Sequence, residues 1–509
     1  MRRKIFIAAS ALTLIIASLF TTLPEIHAQE KGMTTNKIET VLAPNRTSLV
    51  SFRILFLTGA ADDPKGKEGV AALTAAMLAS GGSRERSYEQ IVEAMYPMAT
   101  SLDWQVDKEM TVFSGTTHLD NLEPYLALIR EMLLDPGFRQ EDFTRLKTDA
   151  INFLKVNLRA GNDEELAKEY LYNSIYAGHP YGHHNLGALG ALDKLTLDDV
   201  RDFYRRHYAK ANLVIGLAGG YPTNFPQKVV SDFTRLPEGK RDREPIASPK
   251  LTPGARIEII QRETRSTAIS LGFPIGVKRG DKDWAALALV ASYFGQHRSS
   301  NSYLYQKLRG ERGLNYGDYA YIEYFPRGMF QFTPDPNLGR EQQIFQIWIR
   351  PVEPQNAVFA LRAALYEYDK LAREGMSREA FEATREFLIK YANILTQTQD
   401  ARLGYALDSR YYGIPEFGAY LRELLSKLTL EDVNRAIREH LRTENMRIVM
   451  VTKDAEGLRN AILSGQPSPI TYLSSKSKEI LAEDKVIATY PIKLKPEAVV
   501  IVPIERVFE

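Results

Sequence analysis

Apolar residues recur along this chain with two different periods, and stretches of each kind are interspersed rather than grouped. In the first half, Ser51–Leu57 and Glu109–Gly115 alternate like strands, while Gly69–Ala79, Tyr88–Met95, Asn121–Leu134 and Gln140–Leu158 carry the three-to-four spacing of helices. In the second half, Arg256–Gln261 and Ala268–Phe273 read as strands, and Asp283–Tyr293, Pro354–Arg373 and Arg378–Thr396 as helices. This mixture predicts an α+β fold of two domains, each a mostly antiparallel sheet with helices packed on one face.

The two domains are predicted to be copies of one another. Residues 194–215 (KLTLDDVRDFYRRHYAKANLVI) and 427–448 (KLTLEDVNRAIREHLRTENMRI) are identical at 10 of 22 positions, at an offset of 233. A second pair, 137–151 and 375–389, follows the same order at an offset of 238. In both copies of the first pair a threonine, Thr196 or Thr429, precedes the helix as an N-cap with acids in the first turn, and an apolar strand follows. The segment 237–256, rich in proline and charge, reads as the linker between domains at 29–236 and 257–509. Residues 457–509 hold a helix-like stretch and an apolar strand, Ala498–Pro503, to which the sequence attaches no function.

The amino terminus predicts export. Arg2-Arg3-Lys4 is followed by an apolar run, Ile5–Phe20, and by the small-residue ending Ile26-His27-Ala28. That is a secretory signal peptide over residues 1–28, cleaved after Ala28, with the mature chain expected in the periplasm. The alternative, an uncleaved anchor, is disfavoured because the run is short of the ~20 residues that span a bilayer. No permanent membrane span is expected elsewhere.

Charge and composition then narrow the chemistry. There are 65 Lys+Arg against 63 Asp+Glu, a net charge of +2 that the first 28 residues account for. A neutral mature chain has no basic field for a phosphate backbone, so no nucleic-acid partner is expected. With no cysteine, disulfides, thiolate metal sites and a cysteine nucleophile are excluded.

Three stretches carry a family resemblance: GAADDPKGKEGVAALTAAMLASGG (59–82), GHPYGHHNLG (178–187) and LRGERGLNY (308–316). In these the chain resembles the pitrilysin or insulinase family of zinc metallopeptidases, which includes mitochondrial processing peptidase. The family's inverted zinc motif, H-x-x-E-H, needs two imidazoles at i and i+4 and a carboxylate at i+3 on one helix face. Laid on this sequence, the histidine positions fall at Ala72 and Ala76, the glutamate position at Ala75, and the third ligand near Phe153–Lys155, where no acid stands. None of the eight histidines forms H-x-x-E-H or H-E-x-x-H. His179, His183 and His184 cluster, but Pro180 and Gly182 place them in a loop. The resemblance therefore implies that this chain binds no metal of its own and that zinc belongs to a partner subunit.

The family's other device is present. Its second domain supplies an arginine and a tyrosine to the peptide, and the match here is Arg309 and Tyr316, with Arg312 as the competing arginine. Arg309 would offer donors to substrate carbonyls and Tyr316 a phenol to the developing oxyanion. Gly310 and Asn315 depart from the pattern. So does Asp103-Trp104, which stands where the family has Asn-Ala before its substrate-pairing edge strand. Because four such domains close a chamber in that family, this chain would be half of one. The expected role is a non-catalytic, substrate-positioning subunit of an exported zinc endopeptidase, paired with a homologous H-x-x-E-H subunit and acting on peptides or unfolded polypeptides. The rival readings are a proteolysis-independent peptide-binding or scaffold protein, and a metalloenzyme using the histidines at 179–184.

Overall fold

The computed structural model describes residues 38–509 except 241–244, 252, 329 and 443. The signal peptide and cleavage point expected from the sequence lie outside the described residues. Among the described residues, no helix is long and apolar enough to cross a membrane.

In chain order the first half contains β1 (Glu39–Pro44), β2 (Leu49–Phe56), α1 (Val70–Ser80), α2 (Tyr88–Met95), β3 (Asp103–Val106), β4 (Thr111–His118), α3 (Leu122–Leu134), α4 (Gln140–Asn152), α5 (Asp163–Ile175), α6 (Leu189–Leu192), α7 (Leu197–His207), β5 (Leu213–Gly219) and α8 (Phe225–Phe233). The second half contains β6 (Arg256–Gln261), β7 (Thr267–Ile275), α9 (Trp284–Gly295), β8 (Asp318–Tyr321), β9 (Gln343–Val352), α10 (Ala357–Glu374), α11 (Arg378–Leu395), α12 (Gln399–Tyr412), α13 (Phe417–Lys427), α14 (Leu430–His440), β10 (Arg447–Thr452), α15 (Ala455–Ser464), α16 (Lys478–Ala488) and β11 (Val499–Pro503).

The duplication is visible in the strand order. The first sheet runs β1-β5-β2-β4-β3, and the second repeats it as β6-β10-β7-β9-β8 with β11 added beside β6. In each sheet the first strand pairs parallel with the last of the repeat, and the other pairs of the repeat are antiparallel. The apolar strand read at Ala498–Pro503 is β11, parallel to β6. Both repeated helices carry a full capping box, Thr196 with Asp199 and Thr429 with Asp432. The helix read over Gln140–Leu158 is α-helical to Asn152 and continues as a π-helix, Phe153–Ala160.

One feature departs from helices on a single face. The second face of each sheet is covered by a helix from the other half. Leu403, Ala406 and Leu407 of α12 form an apolar cluster with Val41, Leu55 and Val214 of the first sheet. α5 packs on β7 and β10 of the second sheet. Its charged residues reach β9 and the loop before it: Glu164 pairs with Arg350 at 2.9 Å, the Lys168 ammonium donates to the Phe325 carbonyl at 3.1 Å, and Glu169 accepts from the Tyr324 hydroxyl at 3.0 Å. The two halves are thus cross-braced into one body.

Candidate functional site

The stretch before α1 is built to hold that helix's amino end. The Asp63 side chain is buried, and its carboxylate accepts from the amides of Gly69 at 2.6 Å and Ala71 at 2.8 Å, where the helix has unpaired donors and a positive dipole end. His183 completes the arrangement, its Nε2 lying 3.0 Å from Asp63. Gly59 is needed because a Cβ there would sit 2.2 Å from the Asp107 carbonyl. The loop resembling the family therefore positions α1, although α1 itself bears no chemistry.

α1 is apolar nearly all round and is buried from Val70 to Ala79. Ala72, Ala75 and Ala76 are 3%, 0% and 5% exposed. Their methyl groups offer no ligand atom, and position 153 carries an exposed phenylalanine on the π-helix. The Phe153 ring lies 6.2 Å from that of His184, which is 5.6 Å from Phe508. These residues do not fit a zinc ion.

The clustered histidines each serve a separate local contact. His179 accepts from the Tyr181 amide at Nδ1 and faces the Ala247 carbonyl with Nε2, 2.8 Å away. His184 accepts from the Leu186 amide at 3.0 Å, and burial, reinforced by Lys108 nearby, holds its pKa down at about 3. Among the described residues, one group has the spacing of metal ligands: Asp283, Glu439 and His440. A cation already sits there, since Arg435 donates to Asp283 at 2.6 Å and to Glu439 at 2.7 Å.

The two candidate arginines of 308–316 have different environments. The Arg312 side chain is fully buried, donating to Asp484 and Glu483 of α16 at 2.8 Å each. α16, which the sequence left without a role, anchors this turn. Arg309 sits on a π-helical turn, Tyr305–Gly310, and its guanidinium carbon lies 5.1 Å from the centre of the Tyr316 ring. Tyr316 is 75% exposed. Asn315, a departure from the family pattern, is buried and donates to Asp318 at 2.7 Å, so it fixes the turn that presents Tyr316.

At the edge of the first sheet, Trp104 pairs across β3–β4 with Phe113 and packs against the first core. Gln105 beside it donates to the carbonyls of Pro336 and Asn337, 3.1 and 3.0 Å away, so a loop of the second half reaches this edge.

With this arrangement in view, the comparisons with known proteins agree on its class. Residues 40–188 match the family described as Insulinase (Peptidase family M16), and residues 194–388 match Peptidase M16 inactive domain. The chain belongs to peptidase family M16. It is similar to the "Non-peptidase homolog YmxG" of Helicobacter pylori, 21% identical over 426 residues that cover 82% of this chain and 92% of that protein. Among solved structures it is similar to a peptidase M16 inactive domain from Pseudomonas fluorescens, with a TM-score of 0.72 and 23% identity over 83% of this chain and 97% of that one. It is also similar to the periplasmic protease PqqL from Escherichia coli, with a TM-score of 0.65 and 15% identity, covering 92% of this chain and 52% of that one. These two likenesses establish the fold.

Proposed function

We propose that this chain is a non-catalytic, substrate-positioning subunit of an exported zinc endopeptidase that acts on peptides or unfolded polypeptides. One observation carries the reading: the ligand-free stripe Ala72–Ala75–Ala76 in one half coexists, in the other, with a half-buried Arg309 lying over the exposed ring of Tyr316. A homologous partner bearing H-x-x-E-H supplies the metal and the general base. This chain supplies hydrogen-bond donors: the Arg309 fork holds carbonyl oxygens of an extended peptide, and the Tyr316 phenol donates to the oxygen on which charge develops. The amino-terminal pattern supports export. The name of the Helicobacter pylori relative favours a second reading, peptide binding or scaffolding without proteolysis.

The test is hydrolysis of a quenched fluorescent peptide by the chain alone and by the chain with a co-expressed H-x-x-E-H homologue. Hydrolysis by the pair but not by the lone chain is expected. Hydrolysis with stoichiometric zinc in the lone chain overturns the proposal. Peptide binding with no hydrolysis in any pairing gives the second reading.

A further inference from the structure

The duplicated hairpins differ at one place. In the first domain β3 and β4 are joined by residues 107–110, whereas in the second β8 and β9 are joined by residues 322–342. Connections of this length in a compact domain are uncommon and usually functional. Part of the long loop braces the two halves: Arg340 donates to Asp107 at 2.7 Å and the Glu341 amide to Glu109 at 2.7 Å. The brace leaves residues 326–335 unaccounted for.

The described residues of that tip, 326–328 and 330–335, are held by several contacts. Asp335 accepts from Arg327 at 2.9 Å and from Gln331 at 2.7 Å, and the Gln331 carbonyl accepts from His297 Nε2 at 2.7 Å. Gly328 lies so close to the buried Trp348 that a Cβ would stand 2.6 Å from its ring. Yet two of these residues are exposed phenylalanines, Phe330 at 74% and Phe332 at 72%. Aromatics exposed to this extent contribute little to the fold, and on a held backbone they can bury apolar surface from another molecule at little ordering cost.

The tip is connected to the turn bearing Tyr316 through a relay of intermediate side chains. Gly317, next to Tyr316, touches the Tyr319 hydroxyl closely enough that a Cβ would be 2.5 Å away. The Tyr319 ring is 4.7 Å from His297, which bonds Gln331, and Arg298 stacks on Phe332 at 4.6 Å. We infer that Phe330 and Phe332 form an apolar subsite on the same wall as Arg309 and Tyr316, taking a large apolar side chain of an extended polypeptide. This rests on the substrate-positioning reading above and adds a substrate class: segments with exposed apolar side chains, as in unfolded chains. Arg309 and Tyr316 hold the backbone, and the two rings select the side chain.

The test uses the full chain and two fluorescein-labelled decapeptides that differ only in a central Phe or Ser, with fluorescence anisotropy as the readout. The Phe peptide should bind roughly tenfold tighter, the scale expected for burying one apolar side chain. In Phe330→Ser/Phe332→Ser that preference should fall below about twofold, with the melting temperature unchanged because both rings are exposed. A preserved preference in the double variant overturns this inference and leaves the positioning reading standing. Failure of the wild-type chain to bind either peptide overturns both. If the double variant keeps its peptide preference but loses association with an H-x-x-E-H partner, the rings belong to the subunit interface and the inference falls.

Discussion

Arg340 of the second half and Asp107 of the first meet in a buried two-point ion pair, with guanidinium nitrogens 2.7 and 2.5 Å from the two carboxylate oxygens. Neither side chain is appreciably exposed. Removing one partner strands a charge without water, so Arg340→Ala should cost about 3–5 kcal/mol in urea unfolding. Replacing both with apolar residues, Arg340→Met with Asp107→Leu, should recover most of that loss. If the single variant unfolds like wild type, the pair does not brace the halves.

Much of the fold is legible in local signals, and the brace is not. The capping boxes at Thr196 and Thr429 and the strands after them need only neighbours in sequence to be read, so the repeat shows them plainly. α5 is the opposite case. Its first turns, DEELAKEY, look like a solvated helix, yet Glu164, Glu165, Lys168 and Glu169 are all buried because their partners include Tyr324, Phe325 and Arg350 of the other half. Pairing over that sequence distance leaves no periodic trace. The stripe at 72–76 and the 308–316 turn are singled out by a resemblance and not by any local pattern. The tip at Phe330 and Phe332 is not singled out, since exposed aromatics in a loop have no pattern.

Arg309 and Arg312 should separate cleanly. Arg312→Ala removes a buried guanidinium from Glu483 and Asp484, and its main effect should be a loss of about 3–5 kcal/mol in stability. Arg309→Ala and Tyr316→Phe should leave the unfolding midpoint within about 0.5 kcal/mol of wild type. In a hydrolytically active pair each should lower turnover, Tyr316→Phe by roughly 10²–10³ if the phenol serves the oxyanion. Unchanged turnover in both would remove their assigned role.

His184 should impose an acid-side penalty on folding. Burial holds its folded pKa at about 3, against about 6.5 in an unfolded chain. Between those values the unfolded state takes up a proton that the folded state refuses, so stability falls as pH drops below 6.5, by about 2 kcal/mol at pH 5. Buried carboxyls such as Asp318 and Glu164, whose pKa values burial raises, act in the opposite sense. The effect is therefore read against His184→Asn, which keeps an acceptor for the Leu186 amide. Wild type should lose about 2 kcal/mol more than the variant between pH 8 and pH 5 in urea titrations, and parallel curves would exclude it.

Val507 and Phe508 belong to the first core although β11, just before them, lies at the edge of the second sheet. The Phe508 carbonyl accepts from the Leu189 amide at 2.7 Å, and Arg159 donates to the carbonyls of Glu505 and Val507. Phe508 has φ of 60°, a left-handed conformation that costs a non-glycine residue about 1–2 kcal/mol. Burial of its ring must outweigh that strain. Phe508→Ala keeps the strain and loses the burial, so it should destabilise by about 3–5 kcal/mol. Phe508→Gly relieves the backbone and should be the milder of the two by about 1 kcal/mol, an order opposite to that expected at an ordinary buried position.

Restoring the family motif should not restore a metal site. Ala72→His/Ala75→Glu/Ala76→His would place the ligand types at the right spacing, but the third ligand position still offers only Phe153, Leu154 and Lys155. Ala75 also has no exposed surface, so a longer side chain there must displace core neighbours at about 1–3 kcal/mol. The triple variant should melt below wild type, and added zinc should leave that melting temperature where it is, because an ion that binds only the folded state would raise it. A zinc-dependent rise of several degrees would mean that nearby side chains complete the site after all, and that only the three alanines keep a metal from this helix.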